Sequence, residues 1–170
     1  AGVRHRLTER YSLGCLPTPP RLIVAQSLGC YPINRAIQND EPWEPMEENT
    51  IADSISVGVP RNADKALMAI RESNGIAVNV SDEEILAAQR LLGRTCGVCG
   101  EPAGVTGAAA LKKACEEGLI PHDATVVSVV TGNGLKDVAT AIKSAGEPIH
   151  IEPDLDLMVS EFKKRGVTVE

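Results

Sequence analysis

The run Thr-Val-Val-Ser-Val-Val-Thr at residues 125–131 constrains the fold of this chain more than any other segment. So nearly continuous an apolar run predicts a strand buried on both faces, the place of a central strand in a parallel sheet. Parallel neighbours need long crossover connections, normally helices packed on the sheet. The rest of the chain supplies such elements in alternation. Residues 21–27 read as a buried strand entered through Pro17, Pro19 and Pro20, and residues 33–37 as a short helical stretch. Ala63–Glu72 reads as a helix closed by Asn74-Gly75, and Ile76–Val80 as a strand. Ser81 followed by Glu84 is a capping-box pair opening a helix with the stripe Ile85, Ala88, Gln89 and Leu92. A short strand is expected around Val98. Glu101-Pro102 then opens a helix with a small inner face of Ala103, Gly104, Gly107, Ala108, Leu111 and Cys115. After residues 125–131 the Gly132-Asn133-Gly134 turn leads into a helix carrying Leu135, Val138, Ala139 and Ile142 and ending at Gly146. A strand at 149–152 and a last helix, capped by Asp154 and stopped by Gly166, complete the pattern. The predicted fold is α/β: an open, mainly parallel sheet with helices on both faces.

Composition agrees and narrows the function classes. Of 170 residues only Tyr11, Tyr31, Trp43 and Phe162 are aromatic, so the core must be aliphatic. The net charge of −6 and the scarce aromatics argue against a nucleic-acid surface, which needs phosphate neutralisation and base stacking. No run approaches the roughly 20 apolar residues of a membrane span. The acids Asp40, Glu41, Glu44, Glu47, Glu48 and Asp53 between Arg35 and Arg61, with Pro42 and Pro45 among them, read as a solvated loop. An odd set of cysteines, Cys15, Cys30, Cys96, Cys99 and Cys115, without a secretion signal points to reduced thiols and a cytoplasmic protein. Cys96 and Cys99 form a C-x-x-C that could serve zinc or redox chemistry. His5, His122 and His150 supply no matching ligand spacing, so no metal is expected, and the pair is expected on a short buried strand. The chain begins with Ala rather than Met, which reads as processing or as a piece of something longer.

In an open α/β sheet ligands gather beyond the carboxyl ends of the strands. Three segments would deliver polar groups there: Ser27-Leu28-Gly29, residues 100–104, and Thr131-Gly132-Asn133-Gly134. Thr131 would place a hydroxyl at the tip of a fully buried strand, in a dry site. The glycines that follow are neither a dinucleotide fingerprint nor a phosphate-binding P-loop, because the third glycine and the G-K-[ST] ending are missing.

Glu101-Pro102-Ala103-Gly104, an Ala-rich helix, a Val-rich strand and Thr131-Gly132-Asn133-Gly134-Leu135-Lys136-Asp137 together resemble the C-terminal part of threonine synthases. Thr50-Ile51-Ala52-Asp53-Ser54-Ile55 and Ser81-Asp82-Glu83-Glu84-Ile85 extend the resemblance, which runs from about residue 20 to residue 153. Threonine deaminases resemble the chain over fewer of these segments, and cysteate synthases share much of the C-terminal pattern. The resemblance implies a type II pyridoxal-phosphate fold, with residues 21–170 as the C-terminal part of the large domain and residues 1–20 as an N-terminal segment it does not place. It implies a pyridoxal 5'-phosphate lyase that converts O-phosphohomoserine and water into threonine and phosphate. Thr131 would hold the pyridine nitrogen, Glu101 and Gly132 would line the ring edge, and the backbone of Ala52, Asp53 and Ser54 would flank one face.

Nothing here resembles the family's Ser-Phe-Lys-Asp segment, which carries the Schiff-base lysine, or its phosphate-cradling loop. Lys136 reads instead as a helix-surface lysine. The chain alone is therefore expected to have no catalytic residue and no activity, and to need a missing N-terminal half or a homodimer partner. The competing expectations are a non-catalytic α/β ligand-binding module and, less favoured, a zinc adaptor built on Cys96 and Cys99.

Overall fold

The computed structural model describes residues 2–146, 148 and 150–166. The elements run α1 (Gly2–Ser12), β1 (Ile23–Ser27), α2 (Pro32–Asn39), α3 (Ala63–Glu72), β2 (Ile76–Val80), α4 (Asp82–Cys96), α5 (Pro102–Glu116), α6 (Val138–Ala145) and α7 (Leu155–Lys164). Among the described residues the sheet has two strands, β1 and β2, paired in parallel with Ile23 opposite Ile76 and Ser27 opposite Val80. Alternation along them sorts the side chains. Ile23, Ala25, Ile76, Val78 and Val80 pack with Ile85 and Ala88 of α4 and with Val105, Ala109, Ala110 and Ala114 of α5. On the other face Val24 meets Ile33 and Ala36 of α2, and Ala63 and Leu67 of α3. The inner face of α5 is out of phase with the expected one: Val105, Ala109, Ala110 and Ala114 pack on the core, of the expected residues only Gly104 is buried, and Cys115 is exposed.

Local signals explain the junctions. Ser81 and Glu84 close the expected capping box at the start of α4. Asn74 adopts a left-handed φ of 49° after α3, and Gly75 enters β2 where a Cβ would stand 2.5 Å from the Leu22 carbonyl oxygen. Asp154 caps α7 by accepting the Leu157 N–H at 3.0 Å. Helix α1 occupies the N-terminal segment and buries none of its residues.

Several sequence expectations fail, each for an identifiable reason. Residues 125–131 form no strand; Val127 is 84% and Val129 67% exposed, while Val130 packs toward the core. An apolar run reports which faces a strand could bury, but pairing requires a neighbour, and β1 and β2 pair with each other. The expected strand around Val98 is absent because α4 continues to Cys96, with Gly97 as its left-handed C-cap at φ 65°. Cys96 and Cys99 are consequently exposed rather than buried. For the strand expected at 149–152, Ile149 lies outside the described residues and 150–152 carry no strand. Helix α6 starts at Val138, later than expected, after a 3-10 turn at Gly134–Lys136, and its Leu135–Val138–Ile142 stripe faces outward.

Candidate functional site

Beyond the carboxyl ends of β1 and β2 three segments converge. The first is the end of β1: Ser27 is buried, and its hydroxyl donates to Asp82 Oδ1 at 3.3 Å while accepting the Gly29 N–H at 3.1 Å. The second is the end of the acidic loop, whose first part is solvated as expected, with Asp40, Glu41, Glu44, Glu47 and Glu48 all exposed. Its Asn49 N–H donates to the Gly29 carbonyl at 3.0 Å, and only a glycine at 29 allows this, since a Cβ there would lie 1.7 Å from the Asn49 carbonyl oxygen. Thr50 and the Ile51 N–H then donate to the two Asp82 carboxylate oxygens at 2.6 and 3.0 Å. So anchored, the loop passes through a 3-10 turn at Asp53–Ile55.

The third segment joins the start of α5 to the glycine turn. Gly100 and Asn133 form an antiparallel bridge; the Glu101 N–H donates to the Gly132 carbonyl at 3.0 Å and the Gly134 N–H to the Cys99 carbonyl at 2.9 Å. Gln89, buried on α4, donates from Nε2 to the Gly100 carbonyl at 2.8 Å and fixes this strand-like contact from behind. Gly104 and Gly132 let the helix and the turn touch through backbone atoms, because a Cβ on Gly104 would fall 2.8 Å from the Gly132 nitrogen. Gly132 itself lies against the Glu101 side chain, with Oε1 only 1.9 Å from where its Cβ would be.

A cavity of about 310 Å³ opens between these segments. Asp53 and Ser54 line one side, Pro102 and Ala103 at the start of α5 another, and Glu101, Lys136 and Asp137 complete it with Ile51. Its charges are three carboxylates and, among the described residues, one cation. Glu101 is only 7% exposed and pairs with Lys136 Nζ at 3.1 Å. The hydroxyl and backbone N–H of Thr140 hold the Asp137 carboxyl below its ordinary range. The cavity can accept a small polar molecule with cationic and anionic groups, a volume typical of small-ligand sites.

The residues expected from the sequence are distributed unevenly around this cavity. Asp53, Ser54 and Glu101 line it. Ala52 is fully buried behind the first wall and Gly132 behind Glu101. Thr131 is exposed and outside the lining, because the run before it is not a buried strand. Lys136, expected on a helix surface, sits instead on the 3-10 turn and reaches Glu101 across 35 residues of sequence. Sequence reasoning also missed Asp82 and Gln89. Asp82 reads in the sequence as part of a helix-start motif, whereas a glutamine in the otherwise apolar stripe of α4 is a visible sign of a buried polar contact. Among the described residues no group of three or more His, Cys, Asp or Glu could hold a metal ion, and no helix is long and apolar enough to cross a membrane.

Comparison with known proteins places this arrangement. The chain is 44% identical to the threonine synthase of Methanosarcina acetivorans over 146 residues, 85% of this chain but 36% of that protein. It is 42% identical to the threonine synthase of Methanocaldococcus jannaschii over 155 residues, 89% of this chain and 38% of that one. It thus spans well under half the length of these relatives. Among solved structures, maize serine racemase superposes with a TM-score of 0.58 at 21% identity, covering 79% of this chain and 40% of that chain, a likeness of fold. The family model described as "Pyridoxal-phosphate dependent enzyme" matches residues 1–132, which include the loop that carries Asp53 and Ser54, Glu101 and Gly132. The chain belongs to the pyridoxal-phosphate dependent enzymes.

Proposed function

We propose that this chain is the C-terminal part of a threonine synthase, a pyridoxal-phosphate lyase that turns O-phosphohomoserine and water into threonine and phosphate. The observation that carries this reading is the 44% identity to a threonine synthase across 85% of the chain. Residues 21–170 belong to the large domain in this reading, and α1 leads into it. The five free cysteines suit a reducing cytoplasm.

The residues around the cavity fit one side of the cofactor. The volume of about 310 Å³ suits a small ring compound, and the first turn of α5 borders it without a side-chain cap from Glu101, whose carboxylate turns to Lys136. When bound, the cofactor supplies an electron sink for the substrate carbanion. The Thr131 hydroxyl would hold the pyridine nitrogen without forcing its protonation, Glu101 and Gly132 would border the ring edge, and the backbone from Ala52 to Ser54 would cover one face. Lys136 keeps Glu101 compensated beside that edge.

The partner in this reading is an N-terminal half that brings the Schiff-base lysine and the phosphate loop, in the same polypeptide, in a separate one or in a homodimer. The bare run at 125–131 supports this, since its outward Val127 and Val129 offer an apolar face and unused backbone groups to another strand. The test is a chimaera in which this chain replaces the matching region of the Methanosarcina acetivorans protein. The chimaera should form threonine and phosphate, whereas the chain alone, incubated with pyridoxal phosphate and then gel-filtered, should keep no stable aldimine absorbance. A folded, cofactor-loaded chimaera that makes no threonine would overturn the reading. In that chimaera Thr131→Asp should lower turnover and shift the visible absorption of the bound cofactor without loss of folding; unchanged turnover and spectrum would remove Thr131 from the site.

A further inference from the structure

The wall that carries Ala52, Asp53 and Ser54 has no strand or α-helix, only the 3-10 turn at Asp53–Ile55, yet it is held at fixed hydrogen-bond distances. Its anchor is one carboxylate. Asp82 Oδ1 accepts from Thr50 Oγ1 at 2.6 Å and from Ser27 Oγ at 3.3 Å, and Oδ2 accepts the Ile51 N–H at 3.0 Å. The same Thr50 oxygen accepts the Ala52 N–H at 3.2 Å, which carries the constraint one residue further toward the cavity. Three places in the chain, the end of β1, the acidic loop and the start of α4, meet on this side chain. Asp82 stands in the first helical turn, where the free backbone N–H groups and the helix dipole favour a negative charge.

We infer that Asp82 is a positioning residue for the proposed cofactor site: it latches the 50–54 segment to the strand ends and so sets the distance between that wall and Glu101. The functional half of this inference rests on the reading proposed above; the latch itself does not. Among the described residues Ile51 is the one lining residue that hydrogen-bonds Asp82, so the effect of Asp82 passes through Thr50 and the Ile51 amide. The chemistry of its partners separates a latch from a mere charge. Two of the three donors are hydroxyls, which can reverse and accept. In Asp82→Asn the amide oxygen can accept the Ile51 N–H while the amide nitrogen donates to Thr50 and Ser27, so the connections survive without the charge. Asp82→Ala removes all three.

Amide hydrogen exchange on the 170-residue chain tests the latch without any cofactor. Asp82→Ala should speed exchange at Ile51 and Ala52 about tenfold or more, with β1 and β2 unchanged, and Asp82→Asn should restore slow exchange. Thr50→Val, a near-isosteric change that cannot disrupt α4, should speed exchange at Ala52 alone. Equal exchange in wild type, Asp82→Ala and Thr50→Val would overturn the latch. In the chimaera, Asp82→Ala should weaken pyridoxal-phosphate affinity about tenfold, read from cofactor absorbance, with Asp82→Asn close to wild type. An exchange effect with unaltered cofactor affinity would overturn the positioning role while leaving the latch in place, and failure of the parent chimaera to make threonine would show as a separate result.

Discussion

Gly104 and Gly93 sit inside consecutive helices and invite the same substitution with opposite results. A Cβ on Gly93 would meet nothing within 4 Å, whereas on Gly104 it would lie 2.8 Å from the nitrogen and 2.9 Å from the oxygen of Gly132. Those are backbone atoms in a turn pinned by the Gly100–Asn133 bridge, so no flexible side-chain end can swing away. Reaching ordinary contact at 3.4 Å requires α5 and the turn to part by about 0.6 Å, the difference from 2.8 Å. Replacing glycine by alanine inside a helix stabilises by about 1 kcal/mol on propensity alone. Overpacking of this kind costs about 1–3 kcal/mol, and separation also strains the 3.0 Å bond from the Glu101 N–H to the Gly132 carbonyl, worth about 1 kcal/mol. Gly93→Ala should therefore stabilise by up to about 1 kcal/mol, raising Tm by roughly 2–4 °C, and Gly104→Ala should destabilise by about 1–3 kcal/mol. Paired thermal and urea unfolding of the two variants reads the difference. If Gly104→Ala proved as stable as Gly93→Ala, the close backbone contact between α5 and the glycine turn would be refuted, and with it the geometry of that cavity wall.

The three nearest obstacles to a Cβ on Gly132 all belong to the Glu101 side chain, so Glu101→Ala should rescue Gly132→Ala. A double-mutant cycle by urea unfolding should show a favourable coupling of about 1–2 kcal/mol, and simple additivity would contradict the contact. Burial raises the Cys30 thiol pKa, while Cys15, Cys96, Cys99 and Cys115 are exposed. Iodoacetamide under native conditions at mild alkaline pH should therefore modify those four and spare Cys30, as read by peptide mass spectrometry; early labelling of Cys30 would contradict its burial. Asp137 caps α6 through Thr140, and its carboxyl is held below the ordinary value of 3.8. Because the folded pKa is the lower one, this contribution is complete above about pH 4 and fades as pH falls through the folded value. The stability difference between wild type and Asp137→Ala should accordingly be constant near neutrality and shrink below pH 4, and a difference that grew on acidification would reverse the assignment.

What was legible in the sequence divides by the range of the interaction that decides it. Capping at Ser81–Glu84 and at Asp154 is settled by neighbours within four residues, and such signals can be read directly; Gly97 stops α4 by the same kind of local signal, but the sequence reading places a strand there. The two strands that formed, β1 and β2, were also legible, because each is an aliphatic run bounded by turn residues. The strongest apolar run of all, residues 125–131, forms no strand, since nothing in its own composition records whether a neighbouring strand is present. Asp53 and Ser54 are indicated by motif resemblance alone, whereas Glu101 also lies in a segment expected beyond a strand end. Lys136 was missed because an isolated lysine beside a glycine turn has many solvated explanations, and its partner lies 35 positions away.

The long-range contacts that escaped the sequence are also the ones that shape the cavity, and a physical reason connects the two facts. A site beyond the ends of strands is bounded by loops, and loops have no ladder of local hydrogen bonds to hold them. Their positions must be set by side chains from other elements: Asp82 for residues 50 and 51, Gln89 for Gly100, and Lys136 for Glu101. Each is a polar side chain tied to a polar group far along the chain, so periodicity, which detects apolar faces, passes over it. Glycine carries the complementary signal. Gly29, Gly104 and Gly132 mark where two backbone segments, or a backbone and a carboxylate, come too close for a Cβ. The polar anchors fix the segments that border the cavity, and these glycines let those segments close on one another behind it.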